Sequence, residues 1–423
     1  MLINEIITNM QNGTFDKQLS MLACTTDLSN IKNRYLNILN KGLELFGDVD
    51  AHLISAPGRT EVGGNHTDHQ LGRVLAASVN MDIVALVVKD EKTCIYFADD
   101  FKVAPVAIDD LAIKNEEKNT SEALIRGTLA RFKELGYQIG GFKAYAQSEV
   151  LRGSGISSSA AFEVLIGNIL SHLYNNGEVD ALTIAQIGQY AENHYFQKPC
   201  GLMDQAASSV GGFVTIDFKD QTNPLVEKID FDFASSGYSL IIVDTKGDHA
   251  DLSDEYGLMP KEMKAVAKVL NQEVLSRVSK QDIIMNAAKI REICGDRAFL
   301  RAMHFMNETD RVVDEVKALK ANDFKAFNEL VIASGYSSYM YLQNVYGGQD
   351  SRHEELAVAL CLSQEMLEGK GAWRVHGGGL AGTIQAFVPN EMVDEYCDLM
   401  HQVFGEGACF CFSIRPVGGY KLI

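Results

Sequence analysis

The sequence lacks features typical of membrane, secreted and nucleic-acid-binding proteins. No apolar run approaches the roughly 20 residues that a membrane-spanning helix needs. The segment Met1 to Glu5 has no basic region followed by an apolar core, so no signal peptide is expected. Basic residues are in deficit, 38 against 56 acidic ones, giving a net charge of -18. This charge argues against a nucleic acid or an anionic membrane as partner.

The eight cysteines also lack an organised spacing. No CxxC pair occurs, and Cys409 and Cys411 flank a single residue. The pattern fits neither a zinc site nor a disulfide framework. We therefore expect reduced, mostly buried thiols in a cytoplasmic protein.

The 423 residues that are present suffice for two packed domains. Strand-like and helical segments occur in both halves, which indicates an α+β or α/β class. We expect two amphipathic helices in the first fifty residues, the second covering 35–46 and ending at Gly47. Further helices are predicted over 120–135, 160–173, 184–195, 260 to about 340, and 353–367. Strands are predicted over 53–56, 74–88, 141–150, 211–216, 238–243, 383–388 and 409–416.

A first polar and glycine-rich segment covers Pro57 to His69 and reads PGRTEVGGNHTDH. Glycines let a ligand approach the backbone closely, and each buried sugar hydroxyl needs a hydrogen-bonding partner. The residue types therefore suit a hydroxyl-rich ligand, and they suit an ordinary polar turn equally well. A metal site formed by His66, Asp68 and His69 is a weaker alternative.

A second segment, Leu151 to Ala161, reads LRGSGISSSAA and lies between a predicted strand and an apolar helix. The start of a helix leaves free N–H groups, and its dipole favours an anion. Serine hydroxyls can cap the helix, bind phosphate oxygens or ligate magnesium. One serine suffices for a cap, so three serines after two glycines favour a phosphate site. It is not a Walker loop, because Gly-Lys-Ser/Thr is absent.

A third segment, His376 to Gly382, reads HGGGLAG and precedes an apolar strand. Its four glycines indicate unusual backbone angles at a place that another group approaches closely. Taken alone, this segment is better explained as a tight turn packed on a neighbour.

Together and in this order, the three segments resemble the galactokinases of the GHMP small-molecule kinase superfamily. The family pattern G-R-V-N-L-I-G-E-H-T-D-Y aligns with residues 58–69, and P-x-G-x-G-L-S-S-S-A aligns with 151–160. The pattern A-E-H followed by P-C-G-I-M-D-Q aligns with 191–193 and 199–205. The S-E-Y region aligns with 254–256, and the last glycine motif with 377–382. The C-G-[IL]-M-D-Q match is the most discriminating, because it separates galactokinase-like members from the wider superfamily.

The resemblance implies an α+β, two-domain GHMP kinase fold with the active site in the interdomain cleft. The expected domains are a helical extension over 1–32, an N-terminal GHMP kinase domain over 33–224 and a C-terminal one over 225–423. ATP is implied as co-substrate, with Mg²⁺ and a small sugar as the other ligands. We expect a monomer or weak homodimer with no nucleic-acid or membrane partner.

The resemblance also implies roles for individual residues. Asp204 corresponds to the base that takes the proton from the sugar C1 hydroxyl. Arg59 corresponds to the arginine that keeps that carboxylate ionised and steadies the phosphoryl group. Ser159 and Glu192 correspond to magnesium ligands. Sugar contacts are expected from Arg59, Asn65, His66, Asp68, Gly201, Asp204 and Tyr256, and the ATP phosphate loop from Gly153, Ser154, Gly155, Ser157, Ser158 and Ser159.

Four departures from the family patterns matter. Asn65 stands where the pattern has glutamate, at the position expected to meet the sugar 6-hydroxyl, and His69 stands where it has tyrosine. Leu151 replaces a proline, and Leu380 with Ala381 replaces Phe-Gly. The last two are interpreted as packing changes. The sole tryptophan, Trp373, is not where an adenine-stacking residue is expected, so the base pocket is unassigned.

Three functions compete at this point. The leading one is a galactokinase that makes galactose 1-phosphate and ADP. A kinase for a related sugar such as galacturonate is the alternative within the enzyme class, because Asn65 and His69 alter the sugar segment. A catalytically silent sensor of sugar and ATP is the alternative outside it. The intact serines at 157–159, with Asp204, Arg59 and Glu192, argue against a silent protein.

Overall fold

The computed structural model describes residues 1–98, 103–150, 156–220, 223–247, 253–346 and 351–423. The chain forms two compact units, each built from several stretches of sequence. Unit 1 comprises 1–60, 77–212 and 414–423, and unit 2 comprises 61–76 and 213–413. Both units contain helices and β-sheet, so the predicted α+β class with two domains is confirmed.

The α-helices fall into both units and include several that follow the predicted segments closely. The helix predicted over 35–46 begins earlier than expected, at Ser29, and ends before Gly47, whose φ is +77°. The helices are α1 (Ile3–Gln11), α2 (Asp16–Ala23), α3 (Ser29–Phe46), α4 (Ser121–Glu134), α5 (Ser158–Tyr174), α6 (Ala181–Ala191), α7 (Met203–Val210), α8 (Ser253–Val269), α9 (Lys280–Met285), α10 (Ala287–Cys294), α11 (Asp296–Lys320), α12 (Phe324–Ser337), α13 (Glu355–Leu367) and α14 (Val393–Phe404).

The strands are more numerous than the sequence patterns predict. They are β1 (His52–Gly63), β2 (Arg73–Asp90), β3 (Thr93–Ala98), β4 (Val106–Ala107), β5 (Gly141–Ser148), β6 (Phe213–Asp217), β7 (Leu225–Ile229), β8 (Tyr238–Asp244), β9 (Ala372–Val375), β10 (Thr383–Pro389), β11 (Cys409–Phe412) and β12 (Tyr420–Lys421).

Unit 1 is built on a mixed sheet with the strand order β12-β1-β2-β5-β3-β4. Strand β2 pairs antiparallel with β5, placing Val84 opposite Gln147, whereas β3 runs parallel to β5. The apolar faces of α1, α2 and α3 pack on this sheet, where Ile6 and Ile38 share one core with Leu86. Residues 1–32 are therefore part of the core of unit 1 and do not form a separate helical extension.

The first fifty residues contain three helices rather than the predicted two. Gly13 has a φ of +79° and follows the end of α1. Cys24 ends α2 in the left-handed conformation, with a φ of 55°. Each of these residues interrupts a pattern that amphipathic periodicity alone merges into longer helices.

Unit 2 contains an antiparallel four-stranded sheet with the order β11-β8-β10-β9. In its centre, Ala386 of β10 lies opposite Ile241 of β8 and Trp373 of β9. A second pair, β6 and β7, is also antiparallel. Phenylalanine rings pack in the core, for example Phe327 against Phe387 with ring centroids 5.4 Å apart.

The cysteines are all free, as expected, but the expectation that most are buried is wrong. Only Cys94 and Cys397 are buried, whereas Cys361 and Cys411 are exposed. Cys411 belongs to β11, an edge strand of its sheet. Within the described part of the chain, no helix is both long and apolar enough to cross a membrane.

Candidate active site

In unit 1, an ion pair joins Arg59 of β1 to Asp204 in the first turn of α7. Arg59 Nε donates to Oδ1 of Asp204 at 2.7 Å, and Nη2 donates to Oδ2 at 2.6 Å. This bidentate geometry makes a stronger arginine–carboxylate contact than a single hydrogen bond does. The Asp204 side chain stays 28 % exposed, so a ligand can still reach it.

Asp204 is held in its ionised form by its neighbours. Burial favours the neutral acid, but the charge and hydrogen bonds of Arg59 and the hydroxyl of Ser157 outweigh it and keep the pKa of Asp204 below its ordinary value. Ser157 Oγ donates to Asp204 Oδ2 at 2.6 Å. Ser157 occupies the N-cap position of α5 but makes no capping hydrogen bond. Its hydroxyl is thus committed to the acidic group.

The two residues predicted as magnesium ligands are also in contact. Ser159, in the first turn of α5, donates from Oγ to Oε1 of Glu192 at 3.2 Å. Glu192 opens a π-helical turn, Glu192–Phe196, that continues α6, and it is only 2 % exposed. A hydroxyl and a carboxylate are the oxygen donors that a hard cation such as Mg²⁺ prefers, so the pair fits such an ion.

A glutamine and a second glutamate, both missed from the sequence, complete this cluster. Gln205 Nε2 donates to Oε2 of Glu192 at 2.8 Å and to Oε2 of Glu163 at 2.9 Å. Glu163 is buried in α5, and burial together with the nearby charge of Glu192 raises its pKa well above the ordinary value. The available signal was a single acidic residue within the apolar helix predicted over 160–173.

A cavity of about 580 Å³ lies beside these serines in unit 1. Ser158 and Ser159 line it together with aromatic side chains, and Tyr96 meets Phe162 edge-to-face with ring centroids 5.1 Å apart. Leu124 and Phe196 also line it. These apolar residues come from β3, α4, α5 and the π turn, so no single sequence motif predicts the cavity. The segment with Gly153, Ser154 and Gly155 lies outside the described residues, and its role stays a prediction.

Unit 2 brings several of the predicted sugar contacts together. His66 has a φ of +57°, and its Nε2 lies 3.0 Å from the carbonyl oxygen of Gly378. Its ring meets that of Tyr256 edge-to-face at 5.2 Å, and Tyr256 is 49 % exposed. Asp68 begins the 3₁₀ turn Asp68–Gln70 two residues later. Gly201, the remaining predicted contact, belongs to unit 1 and is exposed just before α7.

The third glycine segment surrounds this group. A side chain at Gly378 would place its Cβ 2.3 Å from the Tyr256 ring, and Gly377 and Gly379 both have positive φ. The prediction of unusual backbone angles and a close approach is confirmed. The approaching group is an aromatic ring.

Asn65 is fully buried, and its amide is engaged within the protein. Nδ2 donates to Glu61 Oε1 at 2.9 Å and to the Gly377 carbonyl oxygen at 2.6 Å. Oδ1 accepts from Asn344 at 2.8 Å and from Ser338 at 3.3 Å. Both donors and both acceptor positions are therefore in use, and the predicted role as a sugar contact stays a prediction.

Glu61 and Asn65 exchange the residue types of the family pattern, which has asparagine at the place of Glu61 and glutamate at the place of Asn65. The hydrogen bond between them keeps a carboxylate beside the amide. Arg374 Nη2 donates to the same Oε1 of Glu61 at 2.7 Å. The negative charge that the family pattern has at position 65 is thus present at position 61 instead.

His69 stands where the family pattern has tyrosine, and its imidazole is uncharged at neutral pH. Burial, with His66 and Lys264 nearby, lowers the pKa of His69 to about 3. The weaker alternative of a metal site here finds no support. Among the described residues, no three His, Cys, Asp or Glu side chains are grouped to hold a metal ion.

Comparison with known proteins agrees with this geometry. Residues 123–212 match the family described as GHMP kinases N terminal domain, and residues 43–89 match the galactokinase galactose-binding signature. By these matches the chain is similar to the GHMP kinases of the galactokinase type. A curated galactokinase from Glaesserella parasuis serovar 5 (strain SH0165) is 29 % identical over 367 residues, which cover 82 % of this chain and 88 % of the relative.

Solved structures of GHMP kinases share the fold of this chain. Lactococcus lactis galactokinase complexed with galactose aligns with a TM-score of 0.74 at 24 % identity, covering 90 % of this chain and 98 % of the other. Methanococcus jannaschii mevalonate kinase aligns with a TM-score of 0.60 at 14 % identity, covering 86 % and 98 %. At these identities the likeness establishes the GHMP kinase fold.

Proposed function

We propose that the chain is an ATP-dependent galactose 1-kinase, which makes galactose 1-phosphate and ADP. The observation that carries the proposal is the bidentate ion pair between Arg59 and Asp204. Asp204 belongs to the galactokinase-like motif at 199–205. The curated galactokinase relative and the galactose-binding signature support the same sugar. We further infer a cytoplasmic protein acting as a monomer or weak homodimer.

Asp204 is proposed as the general base. As the C1 oxygen of the sugar attacks the γ-phosphorus, its proton passes to the Asp204 carboxylate, and ADP leaves with the electrons of the broken bond. Arg59 fixes the orientation of the carboxylate through two hydrogen bonds. Ser157 adds a third bond, so little reorganisation is needed when the proton moves.

The cavity in unit 1 is proposed to hold the adenine base of ATP. Its aromatic and aliphatic lining suits a flat ring, and Ser158 and Ser159 place hydroxyls beside it at the start of α5. Gly153, Ser154, Gly155 and Ser157 are proposed to complete the phosphate loop. Ser159 and Glu192 are proposed to hold Mg²⁺, which would neutralise charge on the phosphate oxygens.

The sugar itself is proposed to contact His66, Asp68, Gly201 and Tyr256, with Arg59 and Asp204 at C1. Asn65 would act on C6 only if its internal hydrogen bonds rearranged. The galacturonate alternative depended on the missing charge at this position. Because both N–H donors of Asn65 are already engaged by Glu61 and by the Gly377 carbonyl oxygen, the amide is not free to bind a C6 carboxylate.

A coupled assay of ADP release, run with galactose, with galacturonate and without sugar, tests the proposal. We expect Mg²⁺-dependent ADP release with galactose and none above background with galacturonate. ADP release with galacturonate but not with galactose would show that galacturonate is the substrate in place of galactose. Galactose binding by calorimetry without any ADP release would instead identify a silent sensor.

A further inference from the structure

We propose that unit 2 contains a second ligand site, which binds a neutral, planar aromatic molecule. The site is a cavity of about 500 Å³ lined by α12, the π-helical turn Ser338–Leu342, α13 and β9. A cavity of this volume lies in the range of small-molecule sites. None of its residues takes part in the proposed phosphoryl transfer.

The floor of the cavity is closely packed. Trp373 of β9 lies there and is only 6 % exposed. Gly335 of α12 faces it, and a Cβ at this position would lie 3.0 Å from the Trp373 carbonyl oxygen. The glycine therefore lets α12 lie against β9, with Ile332 beside it.

The mouth of the cavity is formed by large side chains that remain exposed. Tyr336, Tyr339, Met340 and Tyr346 expose between 41 % and 48 % of their surface. The rings of Tyr339 and Tyr346 stand edge-to-face at 5.4 Å and their hydroxyls are hydrogen-bonded, so the two rings brace one another. Clustered exposed apolar surface of this kind marks a place that another molecule covers.

The π turn is a second, independent feature of the wall. It continues α12 directly and ends before Gln343, which has a left-handed φ of 59°. Such π turns are rare in proteins, and those that occur are often found at functional sites. Here the turn carries Tyr339 and Met340, both of which line the cavity.

The chemistry of the lining selects the ligand class. Tyrosine, tryptophan and methionine side chains offer flat or adaptable apolar contact, which suits an aromatic ring. The Tyr hydroxyls and the Gln364 amide can hydrogen-bond one or two polar groups on it. No described lining residue is basic, which disfavours phosphates and other anions. A sugar would leave most of its hydroxyls without partners against such a wall.

Titration with 4-nitroaniline tests the site, because this neutral ring absorbs where tryptophan emits. Trp373 is the sole tryptophan of the chain, so quenching of its emission reports on a ligand near the cavity floor. We expect saturable quenching and matching heat in calorimetry. Quenching that rises linearly with 4-nitroaniline, without saturation, would overturn the proposal.

A pair of neighbouring substitutions locates the binding. Ala357 of α13 lines the cavity, and Ala357→Phe should fill it and weaken binding at least tenfold. Val358→Phe is the matched control, since Val358 is 44 % exposed and lies outside the lining. Equal affinity of the two variants for 4-nitroaniline would contradict the proposed location of the site. Dimerisation of the unmodified chain that is lost in Ala357→Phe would show that a second copy occupies it, which also overturns the proposal.

Alkylation of the unmodified protein gives a readout that does not depend on any variant folding. Cys361 is exposed and lines the cavity, whereas Cys411 is exposed on β11. We expect 4-nitroaniline to slow the reaction of Cys361 with iodoacetamide and to leave that of Cys411 unchanged, as measured by peptide mass spectrometry. Unprotected Cys361 at saturating probe would refute the assignment.

Discussion

At the scale of single residues, the proposed chemistry depends on one carboxylate whose charge and position are both fixed. Arg59 and Ser157 together donate three hydrogen bonds to Asp204. The sequence places Arg59 and Asp204 in separate motifs, 145 positions apart. Family resemblance predicted their contact, whereas the Ser157 bond to Asp204 was not predicted. Spacing alone cannot show which of several serines turns toward which acid.

Replacing Asp204 by asparagine should remove the base and preserve the shape of the side chain. We expect kcat to fall at least about a hundredfold, the lower end of general-base contributions, with the fold retained by circular dichroism. Asp217→Asn is a suitable control, because Asp217 also pairs with an arginine, Arg73, at 2.8 Å. Near-normal turnover in the Asp204 variant would remove this residue from the mechanism.

Arg59 should set the pH dependence of the reaction. With its folded pKa below the ordinary value near 3.9, Asp204 stays ionised throughout the neutral range and is protonated only at lower pH. In Arg59→Leu, burial is no longer opposed by the guanidinium, so the pKa of Asp204 should rise. The acid limb of kcat/KM should then move to higher pH, and an unmoved limb would contradict this role.

At the scale of elements, the start of α5, the π turn after α6 and the first turn of α7 bring the candidate cation ligands together. Gln205 bridges Glu163 and Glu192 from α7. Sequence patterns gave α5 and α6 approximately, because both are apolar, whereas α7 was not predicted. They could not give the bridge, since it joins three elements at positions with no common spacing.

Glu192→Gln should raise the Mg²⁺ concentration needed for half-maximal ADP release, because a hard cation prefers a charged oxygen ligand. The shift should be several-fold or more, with the free energy of unfolding changed less than in a core truncation. Glu178→Gln, an exposed substitution in the turn before α6, is the control. Superimposable magnesium titrations for the variant and the unmodified protein would count against Glu192 as a ligand.

Several elements escaped prediction for identifiable reasons. Strand β9 has four residues, AWRV, all buried, so it shows no alternation of polar and apolar side chains. Strand β7 is mostly exposed and reads LVEKI, which resembles a surface loop. The cavity beside Ser158 and Ser159 was missed because its aromatic residues are dispersed over β3, α5 and the π turn.

At the scale of the whole molecule, the two units interleave along the chain. Strand β1 enters unit 2 at Glu61, the chain returns to unit 1 at Ala77, leaves it after Gly212 and returns at Ile414. The contiguous domain ranges 33–224 and 225–423 therefore differ from the compact units. Motif order along a sequence does not show that a terminal segment rejoins an earlier sheet.

The segment 414–423 carries a buried charge that unit 1 needs. Arg415 Nη1 donates to Asp82 Oδ2 at 2.9 Å and to Ser55 Oγ at 2.7 Å. Arg34 pairs with the other oxygen of Asp82 at 2.7 Å. Burial favours the neutral acid, but the two arginines outweigh it and hold the pKa of Asp82 below its ordinary value.

Arg415→Ala should lower the free energy of unfolding by about 3 kcal/mol, as expected when a buried pair loses one partner. Because the folded pKa of Asp82 is depressed, its stabilising contribution is present at neutral pH and is lost as the pH falls through that value. Urea unfolding at neutral and acidic pH measures both effects. Lys421→Ala, on the same segment, should cost less than about 1 kcal/mol, and an equal cost in the two variants would contradict the role of Arg415.

The return of residues 414–423 to unit 1 also has a consequence for biosynthesis. While the ribosome is still making unit 2, strand β1 lacks its partner β12, and Asp82 lacks Arg415. Unit 1 therefore cannot reach its final stability during translation, although most of its residues emerge early. A prematurely terminated chain that lacks this segment would expose an unpaired strand edge, which makes it a substrate for chaperones and proteases.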